Sequence, residues 1–336
     1  MKVVKRKVYL KRARFRSGRN KQFKQQPLEA LMEAINKKAP LWTQKHWPAP
    51  NTGASTPFES GTRCLYVTKI ARRRFGKADG IYFEVGSYVY GKGENQIAVN
   101  MSGAEPDVQS GPIVDKNGQH RSILHYYRCA VLGESMIVQK QRGSGGIQEL
   151  ANLLTNLFRR YVDPDMPSLE FLDVMGAGLR DIIDQNGGVE SVKISFVDSA
   201  ADVKDSPFGK PLFDAAEYIE GYGRFTAEWE AGDGNPIDTE SAISAFEEID
   251  SMDGGIGKVS IKPFHGGWIN DLGKYQAHDE IDVQINSSGI EVEEDVRRGL
   301  FKYLDRLRIP KGKKNWRIIR DDGLFNFGSQ TVLVKK

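Results

Sequence analysis

The sequence predicts an α+β protein of two domains, with mixed or antiparallel sheets flanked by helices. Short runs rich in Val, Ile, Tyr and Phe alternate with segments whose apolar residues recur every three or four positions, so both strands and helices are expected. The length of 336 residues exceeds what one hydrophobic core usually supports. An apolar fraction of 39% and a charged fraction of 27% are typical of a globular chain rather than a disordered one.

Strands dominate the pattern of the first half. The opening segment interleaves apolar side chains with Lys and Arg, which predicts a strand rather than a disordered tail. A helix is predicted after Pro27. Further strands are predicted over residues 64–70, 81–90, 126–132 and 136–139.

A glycine-rich turn, Gly143 to Gly146, precedes the most regular helical pattern. From Ile147 to Tyr161 the apolar residues recur at helical spacing, so one face of this helix should be buried. A turn of this kind can hold a phosphate, because backbone N–H groups and the helix dipole favour anions there. The chain contains neither G-x-x-x-x-G-K-[ST] nor G-x-G-x-x-G, however. A tight turn that needs positive φ is therefore the favoured interpretation.

Two prolines within residues 162–167 mark the predicted domain boundary, at the point where the charge of the chain changes sign. The predicted domains are a basic α+β domain, 1–162, and an acidic α+β domain with a basic C-terminal helix and tail, 163–336. In the second, helices are predicted over 169–184, 239–249 and 291–307, with Asp238 as a cap. Strands are predicted over 191–197, 224–230, 258–263 and 281–285.

Charge is strongly segregated along the chain. Residues 1–162 contain 28 Lys and Arg against 11 Asp and Glu, residues 163–295 contain 8 against 30, and residues 296–336 contain 12 against 3. The formal net charge of only +4 hides this asymmetry. Segregation on this scale bears on binding partners rather than on fold.

The basic clusters predict contact with a nucleic-acid backbone. Each phosphate that a cation neutralises releases condensed counterions, so a dense array binds without reading sequence. Aromatic rings among the N-terminal cations add surfaces on which bases stack. The alternative is that these clusters are ordinary solvated patches. The predicted binding residues are Lys5, Arg6, Lys7, Lys11, Arg12, Arg14, Arg16, Arg72, Arg73, Arg74, Arg297, Arg298, Lys311, Lys313 and Lys314.

The acidic middle of the chain has three interpretations. It could dock on the basic domain of the same or a neighbouring chain, and so tune nucleic-acid binding. It could instead present a DNA-like surface to a basic protein partner, which makes a protein-interaction module the main alternative function. The third interpretation is that it only keeps the protein soluble.

A divergent metal-dependent nuclease is the second alternative. His278, Glu280 and Asp282 alternate along a predicted strand, so they share one face. Hard-cation binding needs further oxygen ligands that the sequence does not indicate. The favoured interpretation is a solvated strand end, and no metal site or catalytic residue is predicted.

The remaining patterns exclude several classes of protein. No run of 18 or more apolar residues is present, so no membrane span is expected, and the basic N-terminus lacks the apolar segment of a secretory signal. Cys64 and Cys129 are too few for a disulfide framework and are expected to be small core residues in a cytoplasmic protein. No cofactor is expected.

The order of strands in the first half, and the run from Met136 to Ile147 in particular, resembles RexA-like and KwaB-like phage-exclusion and phage-defence proteins. The resemblance covers about the first half of the chain. It implies DNA binding, dimer formation and a role in antiviral defence. No functional residue is carried over, because the resemblance rests on a packing pattern. The resulting hypothesis is a backbone-binding protein, with DNA as the expected polymer.

Overall fold

Long antiparallel strands and amphipathic helices build the structure, which confirms the predicted α+β class. It is a computed structural model. It describes residues 2–15, 26–51, 54, 57–75, 78–91, 94–98, 107–111, 113–114, 120–197, 224–232, 234–239, 241–243, 256–270, 272–309 and 318–325. No helix in these ranges combines the length and the hydropathy needed to cross a bilayer.

The named elements follow one another along the chain. The strands are β1 (Lys2–Phe15), β2 (His46–Trp47), β3 (Arg63–Phe75), β4 (Ala78–Val89), β5 (Glu94–Ala98), β6 (Asp107–Gly111), β7 (Ile113–Val114), β8 (His120–Arg121), β9 (His125–Leu132), β10 (Ser135–Lys140), β11 (Leu169–Asp173), β12 (Val189–Val197), β13 (Arg224–Glu230), β14 (Ile256–Pro263) and β15 (His278–Ile285). The helices are α1 (Leu28–Lys38), α2 (Ile147–Tyr161), α3 (Ala177–Gln185) and α4 (Glu293–Arg308), with short 3-10 helices at Trp42–Lys45 and Leu272–Tyr275.

The chain divides into two compact units that interleave in sequence. The first unit comprises Met1–Leu28, Ala130–Val138 and Pro167–Lys336. The second comprises Glu29–Cys129 and Gln139–Met166. These units do not follow the predicted division at residue 162, because β1 pairs with strands that lie far along the chain.

In the first unit, β1 is a central strand. It pairs antiparallel with β10, β11 and β15, and it places Lys5 opposite Asp282. Helix α4 packs on β15 so closely that a Cβ at Gly299 would lie 2.8 Å from Ile281. A separate three-stranded sheet, in the order β13–β12–β14, shares a buried apolar cluster with α3. The basic N-terminal strand is thus paired with strands from the acidic segment of the chain.

In the second unit, β2, β3, β4 and β9 are neighbours in that order. Helix α2 buries the predicted apolar stripe, including Leu150, Leu154, Leu157 and Phe158. Burial of each such side chain stabilises the fold by about 1.5–3 kcal/mol. Cys64 and Cys129 are free and buried, as predicted.

Most predicted elements are present where the residues are described. The strands predicted over 64–70, 81–90, 126–132 and 136–139 lie in β3, β4, β9 and β10, and those predicted in the second half lie in β12 to β15. Asp238 accepts a hydrogen bond from the Ser241 N–H at 2.8 Å, as the predicted cap requires. Residues 240 and 244–249 of that predicted helix lie outside the described ranges.

The helix predicted to begin at residue 169 is wrong in its first part. Residues 169–173 form β11, and the helix begins only at Ala177. The side chains from Leu169 to Leu172 are all buried, and β11 pairs antiparallel with the C-terminal part of β1. Pairing with a distant strand has outweighed a local pattern that fits a helix, because an apolar run of this length is compatible with either structure.

Candidate nucleic-acid interface

The cations of β1 lie among carboxylates. Five of the seven predicted N-terminal residues form ion pairs within the first unit, and the ammonium group of Lys7 lies 5.3 Å from the ring centroid of Tyr9. Arg16 lies outside the described residues. The ion pairs are Lys5 with Glu280 at 3.2 Å, Arg6 with Glu291, Lys11 with Asp173, Arg12 with Glu134 at 3.1 Å and Arg14 with Glu170 at 2.5 Å.

Of the other eight predicted cations, three form ion pairs, Arg73 is exposed, and four have side chains outside the described part of the chain. Arg72 forms an ion pair with Glu33 of α1. On α4, Arg297 pairs with Glu294 and Arg298 with Asp295. Arg73 is exposed and belongs to a different face of β3 from Arg72. The side chain of Arg74 and residues Lys311, Lys313 and Lys314 lie outside the described part of the chain.

The fold removes most of the charge segregation that the sequence shows. The first unit contains 31 Lys and Arg against 32 Asp and Glu, because it combines the basic N-terminal strand with the acidic middle. The second unit contains 17 against 12 and so retains a positive net charge. A field that attracts polyanions is therefore expected from the second unit.

One face of the second unit's sheet carries rings and cations together. Directly paired residues of an antiparallel ladder share a face. Tyr66 is paired with Gly86 and, after a bulge, Lys69 with Glu84 and Arg73 with Gly80. Arg128 of β9 joins this face because its Nε donates to Glu84. We call this side of the sheet, together with Trp42 at its edge, the aromatic face. Lys69, Arg73 and Trp42 are exposed, and Tyr66, Tyr88 and Tyr126 are half-buried. Its buried members are His46, Tyr82, Glu84 and Arg128.

A cluster of rings lies at the β2 edge of the aromatic face. The His46 ring is stacked on Phe58, with centroids 4.8 Å apart and planes 18° apart, and on Tyr66 at 5.9 Å and 6°. Trp42 contacts Tyr66 edge-on at 5.4 Å and His46 edge-on at 5.7 Å. Although packed in this way, Trp42 remains 54% exposed. The Trp42 ring is thus held in a fixed position with about half of its surface open to solvent.

Hydrogen bonds determine which ring nitrogen of His46 carries the proton, and burial keeps the ring neutral. The carbonyl of Pro48, 2.6 Å from Nδ1, can only accept, so Nδ1 carries the proton. Nε2 then accepts from the hydroxyl of Tyr88 at 2.9 Å. Burial lowers the pKa of His46, and burial raises the pKa of Tyr88. Both groups are therefore neutral at pH 7, and His46 acts here as a packed ring.

The same environment keeps Cys64 unreactive. Burial raises the pKa of its thiol to about 11, partly offset by a hydrogen bond with Tyr88. The thiolate is the nucleophilic form of cysteine. A thiol that stays protonated at neutral pH agrees with the predicted packing role.

A buried polar network supports the centre of the aromatic face. Arg128, only 4% exposed, donates from Nε to Glu84 at 2.9 Å and from a terminal nitrogen to Gln139 at 3.3 Å. Tyr82 donates to the same Glu84 oxygen at 2.6 Å. The guanidinium lies 5.2 Å from the ring centroid of Tyr126. The network fixes the orientation of Tyr126, and its buried charges are mutually compensated.

The glycine-rich turn is a tight turn, as predicted. Gly143 and Gly145 have φ of +93° and +107°, a conformation that L side chains rarely adopt. The Glu149 carboxyl group lies against Gly145, and the Tyr127 hydroxyl donates to the Gly146 carbonyl at 2.8 Å. Because a carboxylate of α2 already lies beside the turn, the geometry favours structure over phosphate binding at this position.

Exposed side chains alternate along β15, the strand on which the nuclease alternative depends. His278, Glu280 and Asp282 are all exposed, and Glu280 pairs with Lys5. Across the described residues, no three His, Cys, Asp or Glu side chains lie close enough together to hold a metal ion.

Sequence reasoning missed the aromatic face, although β4 contains a signal for it. The residues Tyr82, Glu84, Gly86 and Tyr88 alternate with Ile81, Phe83, Val85 and Ser87. Such period-two alternation separates the two faces of a strand. The contributions of His46, Trp42 and Arg128 come from other elements, so only the fold brings them together.

The comparisons with known proteins add no relative. No family model, no curated protein and no solved structure matches the chain significantly.

Proposed function

We propose that the protein binds nucleic acid, with DNA as the expected polymer, and that the aromatic face of the second unit is its main contact surface. The observation that carries the proposal is the presence of exposed Lys69 and Arg73 on the same sheet face as the rings. This face belongs to the unit with the positive net charge. Cations that contact phosphates and rings that contact bases form the usual surface of a binder with little sequence preference.

Phosphate contact by the cations of β1 remains a prediction, and it requires that these cations give up ion pairs within the fold. For Lys5, Arg12 or Arg14 to contact a phosphate, its ion pair with a carboxylate must be broken or shared. The Glu170 side chain is only 6% exposed, so loss of its pair with Arg14 is unfavourable. Lys69 and Arg73 rank before the N-terminal cations because they lie on the sheet face of the rings, in the unit with the positive net charge.

Replacement of both Lys69 and Arg73 by Ala tests the proposal. We expect weaker binding of unrelated duplex and single-stranded sequences alike, because interactions with phosphates carry no sequence information. The slope of log K against log[salt] should fall by roughly 1 for each phosphate that the variant no longer neutralises. The measurement is fluorescence anisotropy with labelled DNA and RNA at several salt concentrations.

The matched control is the double replacement of Lys37 and Lys38 by Ala. These residues are exposed in the last turn of α1 in the same unit, so the variant removes the same charge away from the aromatic face. Equal decreases in affinity in the two double variants would show only a general effect of net charge. Unchanged affinity and salt slope after the Lys69 and Arg73 replacements would contradict the proposal.

The biological setting belongs to the same proposal. The resemblance to RexA-like and KwaB-like proteins supports a role in phage defence or exclusion, with a homo-oligomer as the acting form. In cells that express the chain, the Lys69→Ala/Arg73→Ala variant should reduce protection against phage infection relative to the α1 control. Equal plaque counts with and without the wild-type chain, over a panel of phages, would argue against that setting.

A further inference from the structure

Trp42 is unusual among the rings of the second unit because its neighbours hold it in place without covering it. Tyr66 and His46 contact it edge-on at 5.4 and 5.7 Å, and the side chain stays 54% exposed. A ring already held in position loses little conformational freedom when a flat ligand stacks on it. Leu41, the preceding residue, is exposed as well. The edge of the aromatic face therefore offers a preorganised apolar surface.

Cations continue from this ring cluster along one strand. Lys69 and Arg73 follow Tyr66 on the same face of β3. At about 3.3 Å per residue they lie roughly 10 Å and 23 Å from Tyr66 along the strand. An extended polyanion that runs along β3 would meet the ring cluster first and then the two cations in turn.

Duplex and single-stranded polymers present different groups to a surface of this kind. In a duplex, the flat faces of the bases are already stacked on one another, so they are not available to a protein ring. In a single strand, bases can splay out and stack on aromatic side chains while the backbone follows a basic groove. We infer that the aromatic face takes single-stranded nucleic acid, with an unpaired base stacked on Trp42; this inference rests on the proposed function.

The test compares three ligands of equal length: a deoxythymidine oligomer, an abasic oligomer with the same phosphates, and a duplex. The wild type should bind the deoxythymidine oligomer most tightly. Trp42→Ala should weaken that binding roughly 5- to 100-fold, the range for removal of one stacked base, and should leave binding of the abasic oligomer unchanged. Trp42→Phe, which keeps a ring, should restore most of the affinity.

Trp229→Ala is the matched control. Trp229 is 41% exposed and lies on β13 of the first unit, so its removal deletes an equally large exposed ring elsewhere. We expect it to leave all three affinities unchanged. Because each tryptophan is about half exposed, each variant should keep the wild-type far-UV circular dichroism spectrum.

Two results would overturn the inference and leave the proposed function standing. One is equal wild-type affinity for the abasic and deoxythymidine oligomers, and the other is unchanged binding in Trp42→Ala, with the salt effect of Lys69 and Arg73 present in either case. Failure of all three polymers to bind at low salt would overturn the proposed function as well. A protein that co-purifies with the wild type but not with Trp42→Ala, without any polymer binding, would assign this surface to a protein partner instead.

Discussion

At the scale of single residues, His46 shows how a titratable group becomes a structural one. It is enclosed between Phe58 and Tyr66, and both ring nitrogens have hydrogen-bond partners. Protonation would place a charge in a buried site and would remove the acceptor that Tyr88 uses. Desolvation therefore lowers the pKa of His46 below its ordinary value of 6.5.

This lowered pKa predicts a pH dependence of stability. Well above pH 6.5, His46 is neutral in both the folded and the unfolded states. Below that value the unfolded chain takes up a proton that the folded protein resists, so the free energy of unfolding should fall as the pH drops from 6.5 towards the lower pKa of the folded state. Urea titrations at about pH 7.5 and 5.5, on either side of the ordinary histidine pKa, should show a larger decrease in the wild type than in His46→Gln.

Other groups also titrate in this range, so the comparison with the variant carries the result. Every ionisable group other than His46 is present in both proteins, so the difference between them isolates the contribution of His46. The same decrease in stability in wild type and His46→Gln would show that His46 is protonated equally well in the folded state. An NMR titration of the His46 ring would measure its pKa directly.

At the scale of elements, β1 shows that a basic strand can be a core strand. Its alternation was sufficient to predict a strand, but its cations face partners on β15, β11 and the β9–β10 turn. Cross-strand pairs of opposite charge can stabilise a sheet, but a pair that is exposed to solvent contributes little. The depth of burial therefore decides what each β1 cation contributes.

Arg14 and Lys5 allow a direct comparison within this one strand. The Arg14 and Glu170 side chains are 27% and 6% exposed, while those of Lys5 and Glu280 are 72% and 57% exposed. Arg14→Ala should lower the free energy of unfolding by about 1–3 kcal/mol, because it removes a cation that is paired with a buried carboxylate. Lys5→Ala should leave it almost unchanged. Equal effects in chemical denaturation would contradict this view of β1.

At the scale of the whole molecule, the two compact units interleave in sequence, and this has a consequence for fragments. A fragment of residues 163–336 contains β11 and β15 but lacks β1, the strand with which both pair. We expect such a fragment to show no cooperative unfolding transition. Co-expression with residues 1–162 should restore the transition, because it returns β1 to its partners.

That experiment also tests the domain boundary predicted at residue 162. A fragment 163–336 that unfolds cooperatively, with the full chain's protection of β15 amides from hydrogen exchange, would support the boundary and contradict the central role of β1. Calorimetry and hydrogen exchange on both fragments provide the measurement.

The sequence by itself determined the class of the fold and most of its elements, because periodicity, glycines and caps act over a few residues. The α2 stripe, the tight turn at Gly143 and the cap at Asp238 are features of this kind. Only the tertiary structure decided which charges meet: Arg14 and Glu170 are 156 positions apart, and Arg6 and Glu291 are 285 apart. It also assembled the aromatic face from four strands. Local patterns encode which face a side chain takes, whereas the partner across that face depends on how distant segments pack.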